Sequence, residues 1–523
     1  MTVRLVAAGF AALVALTGAS RAQELNLAVG APVTSLDPHY HALSPNYAVA
    51  DMLFDSLTTF DAKGRLQPRL AESWKPVAED VWEFKLRPGV KFHNGNDFTA
   101  EDVAFTLERV PNVPNSPSSY AIYTRGVKRV EIVDPLTIRL HTDGPYPLLA
   151  TDLAQVEMLD RETHQGAGTE DFNSLKVAIG TGPFRATSYR SGDRIIYERN
   201  ETYFGEKPAW KKVTYRMIPN DGARTAALLS GDVDFIDQVP TSDLAKLSKD
   251  SRVRMSEADG LRLIFLFLDH LHAQSPFVAD NAGKPLEKNP LKELKVRQAL
   301  SMAIDRQAIT QRVMEGAAAP TAQFLSIGAF GSVPGLQPAK ADPEGAKKLL
   351  AEAGYPDGFR IVLSGPNDRY INDARIIQAI GQMWARIGVR TQVDAQPWAA
   401  YVQKAARRDI AVGLVGWGIS SGEATSPLRA LLATPTPEKG WGTSNRGSYS
   451  NPAMDAKLAQ SLQTLDDDKR EQLLREASQI ALDDVGIIPI HIQKNIWAMR
   501  PTLVHEARAD ELTRAQDIRP AAQ

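Results

Sequence analysis

Two short runs of this chain carry almost no polar residue. Arg262 to Leu268 reads RLIFLFL, and Gly486 to Ile492 reads GIIPIHI. A strand with one face in water alternates polar and apolar side chains, whereas a strand covered on both faces is apolar at consecutive positions. Both runs therefore predict central strands with packed layers on either side. They bracket a segment of roughly two hundred residues, enough for a domain of its own. A chain that leaves one lobe and later returns to it crosses the boundary twice, and two crossings predict a two-strand hinge. At 523 residues the chain also exceeds what one hydrophobic core organises.

Helix and strand signals alternate along the whole chain, which predicts an α/β architecture. Thr99-Ala-Glu-Asp102 is a threonine cap with acids in the first turn of a helix toward Arg109. Asp342-Pro343 followed by Gly354 places cap, first-turn proline and terminal glycine in their preferred positions. From Asp373, the residues Ile376, Ile377, Ile380, Met383, Trp384 and Ile387 form one apolar helical face, and Asn451-Pro452 opens a further helix carrying Leu458, Leu462 and Leu465. LRPGVKFHNG reads as a hairpin turning at Pro88-Gly89. The glycines of Gly180-Thr-Gly-Pro-Phe184 read as turn positions needing positive φ, and Gly231 as the end of a helix.

The N-terminus differs from the rest. Arg4 precedes an apolar or small stretch from Leu5 to Leu16, and Ser20-Arg21-Ala22 offers small residues for cleavage after Ala22. This is the pattern of a secretory signal peptide over residues 1–22. Its removal leaves 58 basic and 62 acidic residues, a net charge of −4, with both signs interspersed. Such a balance gives no electrostatic case for nucleic acid or an anionic membrane as partner. There is no cysteine, which excludes disulfides, thiol chemistry and a lipidated N-terminal cysteine. A soluble periplasmic protein of a Gram-negative bacterium is the simplest fit.

One stretch suggests chemistry. In GWGISSGEATSP, Gly418-Ile-Ser420-Ser-Gly422 has the spacing of a serine-hydrolase nucleophile elbow. The elbow order is serine, acid, histidine, and the downstream candidates are Asp455 or Asp466 with His491 or His505. Against this, His491 lies in an apolar strand and reads as a satisfied core histidine, no HGGG-type oxyanion motif precedes the serine, and barely a hundred residues follow it. A secreted hydrolase stands as the alternative to binding without chemistry. For metal, His39-Tyr-His41 and His270-Leu-His272 are the close histidine pairs, but a lone pair lacks third and fourth ligands, and partly exposed loop histidines are the simpler reading.

An ordered set of stretches resembles the family 5 extracellular solute-binding proteins, the dipeptide-, oligopeptide- and nickel-binding components of ABC importers. These are Leu70-Ala-Glu-Ser-Trp74, Trp82 to Gly95, Phe98 to Val103, Gly180 to Phe184, Gly231-Asp-Val-Asp234, Val296 to Leu300, Ala303-Ile-Asp-Arg306 and Gly416-Trp-Gly418. The resemblance implies a two-lobed periplasmic binding protein fold of type II, with a two-strand hinge and an extra domain inserted in the first lobe. The expected boundaries are lobe I at 23–269 with the insertion near 60–178, lobe II at 270–488, and a return to lobe I at 489–523. It further implies that a ligand is trapped by hinge closure and handed to an inner-membrane permease, by a monomer with no cofactor.

For a peptide ligand, the resemblance implies a carboxylate for the ligand ammonium and an arginine for its carboxylate. Peptide-binding relatives place an aspartate soon after the Gly-Trp pair; this chain has Gly418-Ile-Ser420 there, and Glu423 lies three residues later. Glu423 is the candidate for the ammonium, or else a solvent-facing residue. Arg369, in Asn367-Asp-Arg-Tyr370, is the candidate for the carboxylate, with Arg375 as rival. Tyr40, Trp398 and Trp417 are candidate flat walls, Ser420 a further contact, and Asp37 a cleft-facing acid. The expected function is capture of a small peptide or peptide-like zwitterion, with a nickel chelate or haem as other solutes.

Overall fold

The computed structural model describes residues 24–117, 119–367, 369–419 and 421–522, so the signal-peptide reading at 1–22 and Ser420 lie outside the described residues. The chain divides into two units. The first comprises the described residues up to Glu257 together with those from Ile496 onward; the second is Ala258–Asn495.

In the first unit a sheet runs in the order 496–499, Phe235–Ile236, Glu24–Val29, Lys212–Met217, Arg194–Arg199 and Phe184–Arg190. Strand Glu24–Val29 is parallel to both neighbours, with Leu25 opposite Val213 and Leu27 opposite Tyr215. Its alternate residues Leu25, Leu27 and Val29 enter a core with Ile195, Tyr197, Tyr215 and Trp497. A separate antiparallel sheet orders Ala71–Ala78, Val81–Leu86, Thr137–Thr142 and Val127–Asp134 inside the stretch expected as the insertion. Period-2 alternation buries Trp82, Phe84 and Leu86 on one face. On the other face Glu83, Arg139 and Glu131 form a cross-strand ion ladder with contacts of 3.0 and 3.5 Å.

The hairpin expected in LRPGVKFHNG does not form. Strand Val81–Leu86 pairs with its neighbours at 71–78 and 137–142, and the segment after it does not pair back on it. That segment closes on itself around Asn94-Gly95, with an isolated bridge between Lys91 and Asp97 and backbone bonds from Phe92 N to Asn96 O and from Phe98 N to Val90 O. The backbone there is drawn to the GTGPF loop instead: His93 N donates to Gly180 O at 2.8 Å, and Gly180 N donates to His93 Nδ1 at 3.2 Å. The two glycines of that loop are not positive-φ positions, contrary to expectation. They are close-approach positions, since a Cβ on Gly180 would sit 2.1 Å from the Leu53 carbonyl oxygen and one on Gly182 2.4 Å from the Leu53 carbonyl carbon. Gly231 is left-handed, at φ 85°, as expected of a helix end.

In the second unit the sheet order is Val278–Ala279, Arg360–Pro366, Val412–Gly418, 258–268 and 487–495, with Arg390–Gln396 parallel to Arg360–Pro366. The two apolar runs are its central strands and show why they are apolar at almost every position. Ile264, Leu266, Leu268, Ile488 and Ile490 enter one core with Ile376, Ile380 and Trp384 of helix Asp373–Ala385. Leu263, Phe265, Phe267 and Ile487 enter another with Leu474 and Ala477 of helix Asp467–Asp483. Each such side chain, fully buried, contributes ~1.5–3 kcal/mol of transfer free energy. Helix Pro343–Glu352 is capped by Asp342, whose carboxylate accepts from Gly345 N at 2.9 Å, and Gly354 follows at φ 91°.

The division between units falls at 257/258 and 495/496, within strands Arg254–Leu268 and Ile487–Met499, where 269 and 488 were expected. The reason is where the apolar runs pack: 263–268 and 487–490 enter the cores of the second unit.

Candidate functional site

Strands Arg360–Pro366, Arg390–Gln396 and Val412–Gly418 are parallel neighbours in the second unit, so their carboxyl ends open on one edge of the sheet. Crevices outside the carboxyl ends of strands are where open α/β sheets hold ligands. The segments leaving these three ends carry Arg369, Trp398 and Glu423, while Trp417 is the last residue but one of the third strand. Residues chosen from far-apart stretches of sequence thus share one edge.

Arg369 and Trp398 are brought together. Asp373, at the start of helix Asp373–Ala385, accepts from the backbone N–H of both Arg369 and Tyr370 at 3.0 Å and fixes the turn that carries them. The Tyr370 and Trp398 rings meet edge to face, with centroids 5.9 Å apart. The Arg369 guanidinium lies 5.5 Å from the Tyr370 ring and 5.6 Å from the Trp398 ring, while the residue stays exposed. Stacking of this kind holds the planar donor fork without consuming its N–H groups in a salt bridge. Tyr370 in turn donates to Gly416 O at 3.2 Å. A Cβ on Gly416 would lie 2.7 Å from the Tyr370 ring and 2.8 Å from Ile264, so the glycine of the Gly-Trp pair makes room for the tyrosine. Tyr370 was not singled out in the sequence; its signal was adjacency to Arg369 together with a glycine at 416.

Trp417 is half-buried and its Nε1 donates to Ser426 Oγ at 3.0 Å, tying the two ends of the following loop. Glu423 has a different position from the one expected. It is 5% exposed, and its Oε2 accepts from Arg470 Nη1 at 2.7 Å inside the second unit. Its carboxylate already has a cation. Arg470 was not found in the sequence, because nothing local marks a partner 47 positions away. The rival Arg375 makes a 3.7 Å ion pair with Glu315.

In the first unit Tyr40 is half-buried in a loop held by Ser116 Oγ, which donates to its carbonyl at 2.6 Å. Asp37 is buried rather than cleft-facing: its carboxylate accepts from Arg109 at 2.8 and 3.1 Å and from Thr169 Oγ1 at 2.8 Å. His39, expected on a partly exposed loop, is fully buried. Its Nδ1 accepts from Arg109 at 2.9 Å and its Nε2 donates to Glu157 O at 2.8 Å. Burial first, then the Arg109 charge, push its pKa down to about 3. His41 Nδ1 is spent on Thr34 Oγ1, and His272 on Asp269. Among the described residues no group of three ligating side chains is poised for a metal ion.

The hydrolase partners do not assemble. Asp455 accepts from Thr434 and Asp466 caps helix Asp467–Asp483. His491 is a core histidine, but not a satisfied one: both ring nitrogens are buried without a partner, and burial pushes its pKa down to about 3. His505, in the first unit, has its Nδ1 on Ser256 and its Nε2 without a partner. Neither histidine is hydrogen-bonded to either aspartate.

A profile of the bacterial extracellular solute-binding proteins, family 5 (middle), matches residues 65–438. The chain is 29% identical over 507 residues to a glutathione-binding protein of Salmonella typhimurium, covering 94% of each chain. It is 31% identical over 458 residues to heme-binding protein A of Haemophilus influenzae, covering 81% of this chain and 78% of that one. Among solved structures, HbpA2 from Haemophilus parasuis superposes with a TM-score of 0.81 at 24% identity, over 95% of this chain and all of the other. Periplasmic binding proteins of type II share the fold, and no helix among the described residues is long and apolar enough to cross a membrane. The chain belongs to the bacterial extracellular solute-binding proteins, family 5, the solute-capturing components of ABC importers.

Proposed function

We propose that this protein captures a small peptide or peptide-like zwitterion in the periplasm, holds its carboxylate on Arg369, and delivers it unchanged to an ABC permease. The observation that carries the reading is the Arg369 guanidinium, exposed and laid against Tyr370 and Trp398 at the carboxyl edge of the second-unit sheet. A guanidinium offers a carboxylate two parallel charge-assisted hydrogen bonds, and the aromatic shelf pre-pays the ordering of its side chain. Trp398 and Trp417 supply flat apolar surface beside it, and Ser420 is a further proposed contact. The similarity to glutathione-binding proteins supports a peptide, since glutathione is one. Delivery as a monomer through the periplasm is part of the same reading.

The reading is tested by calorimetry with glutathione and its glycine amide, alongside haem as an unrelated solute. Arg369→Ala should weaken binding of the acid by ~2–5 kcal/mol; the glycine amide, which keeps the γ-glutamyl α-carboxylate, should be nearly unaffected if Arg369 holds the glycine carboxylate and weakened equally if it holds the other. Equal affinity of wild type and variant for the acid would overturn the anchor. Incubation with ester and peptide substrates should give no turnover. Turnover abolished by Ser420→Ala would instead establish the hydrolase.

A further inference from the structure

We infer that Glu423 and Arg470 are a positioning pair: they set the loop between Trp417 and Ser426 and act on the ligand through it, without touching the ligand. The inference rests on the solute-binding reading for its affinity readout and on the geometry below for everything else.

Three layers of the second unit meet at this pair. The first is the loop itself. Strand Val412–Gly418 ends, Ile419 N donates to Leu261 O at 2.8 Å, Gly422 turns at φ 66°, and Glu423 forms an isolated parallel bridge with Phe330. The second layer is the segment 330–332: Ala424 N donates to Phe330 O at 3.0 Å. The third is helix Asp467–Asp483, from which Arg470 stacks over the Phe330 ring at 4.3 Å and donates to Glu423. Arg475 Nε also donates to Ser332 O, and Glu471 accepts from Gly331 N, both at 3.3 Å. Gly331, at φ 82°, leaves no space between layers: a Cβ there would lie 2.7 Å from Ala424 Cβ and 3.0 Å from Leu474 Cβ. One guanidinium thus clamps both the middle segment and the loop to the helix.

The pair is also unfinished in a way that points to position over contact. Glu423 Oε1, Arg470 Nε and Ser421 Oγ are buried without partners. A carboxylate with a buried oxygen and a bound arginine has no face open to an incoming ammonium. Its effect passes along the loop to Trp417, whose indole N–H is held by Ser426 three residues past Glu423. A charge that acts through a neighbour must alter affinity for every ligand that uses the neighbour, whatever the ligand's own charge.

The test uses the full-length mature protein and the variants Glu423→Gln, Glu423→Asp and Arg470→Lys. Each is titrated with glutathione and with N-acetylglutathione, which lacks the ammonium. Glu423→Gln should weaken both by about the same factor, on the order of tenfold, because loosened positioning is indifferent to the ammonium. Glu423→Asp and Arg470→Lys, which keep the charges, should recover part of the loss. The ligand-free Trp417 fluorescence, isolated by difference against Trp417→Phe, should shift in Glu423→Gln. A loss confined to glutathione would show that Glu423 meets the ammonium and would overturn the inference. Unchanged affinity, or an unchanged Trp417 signal, would overturn it too. If the wild type binds neither peptide, the peptide reading fails, and the Trp417 comparison still decides the positioning role.

Discussion

The Asp37–Arg109 pair of the first unit and the Glu423–Arg470 pair of the second are built to different standards. In the first unit the Asp37 carboxylate receives two bonds from Arg109, one from Thr169 and one from the His39 backbone, and Arg109 also supplies the proton that His39 Nδ1 accepts. Burial alone would raise the Asp37 carboxyl, but the Arg109 bond and charge outweigh it and hold the pKa below its ordinary value. In the second unit a single 2.7 Å bond joins Arg470 to Glu423, and a buried atom on each side lacks a partner. The buried histidines repeat the contrast: His39 has both ring nitrogens partnered and His491 neither. A closed network makes each member depend on the rest. An open one leaves its members replaceable for stability and available for adjusting a site.

The comparison breaks first under paired substitution. Asp37→Ala with Arg109→Met strips partners from Thr169 and from two groups of His39, and should cost ~3–5 kcal/mol of unfolding free energy in urea titrations. Glu423→Leu with Arg470→Met replaces both partners by apolar groups, orphans little and should stay within ~1 kcal/mol of wild type while still weakening ligand binding. Similar losses from the two double variants would erase the distinction.

Acid sharpens it. His39 and His491 have folded pKa values near 3 against an unfolded value of about 6.5. The unfolded chain therefore binds protons first. The stability that each neutral histidine carries is complete above pH 6.5 and is lost as pH falls from 6.5 toward 3. Each contributes a slope of up to ~1.4 kcal/mol per pH unit in that window. His491→Leu should remove one such slope and cost nothing at pH 7, because no hydrogen bond is lost. His39→Leu should remove the other but cost stability at pH 7, because Arg109 and Glu157 O lose their partner. Denaturation at pH 4.5 and 7 separates the two. The smallest expected effect is Ser426→Ala, which frees the Trp417 indole N–H and should cost ~1 kcal/mol.

Local features of this fold were legible in the sequence. The caps at Asp342 and Asn451, the Thr99–Asp102 box and the two apolar central strands are set by residues within a few positions of one another, or by burial on both faces. What escaped depends on long-range approach. The Gly180 and Gly182 requirement comes from the Leu53 carbonyl, and the failure of the 81–95 hairpin from pairing with strands at 71–78 and 137–142. At the candidate site Arg369 and Trp398 were legible as residue types, and the structure places them together. The Glu423 environment was not, because its cation is contributed by a helix outside the motif. An acid beside a binding motif is ambiguous until its nearest cation is known.

The central claim, that this chain holds a carboxylate-bearing solute without altering it, is tested most directly by native mass spectrometry of protein purified without denaturation. The account predicts a single stoichiometric adduct whose released mass is that of an intact peptide or similar zwitterion, and loss of that adduct in Arg369→Ala. An adduct lacking any carboxylate, or one retained in full by Arg369→Ala, would contradict it.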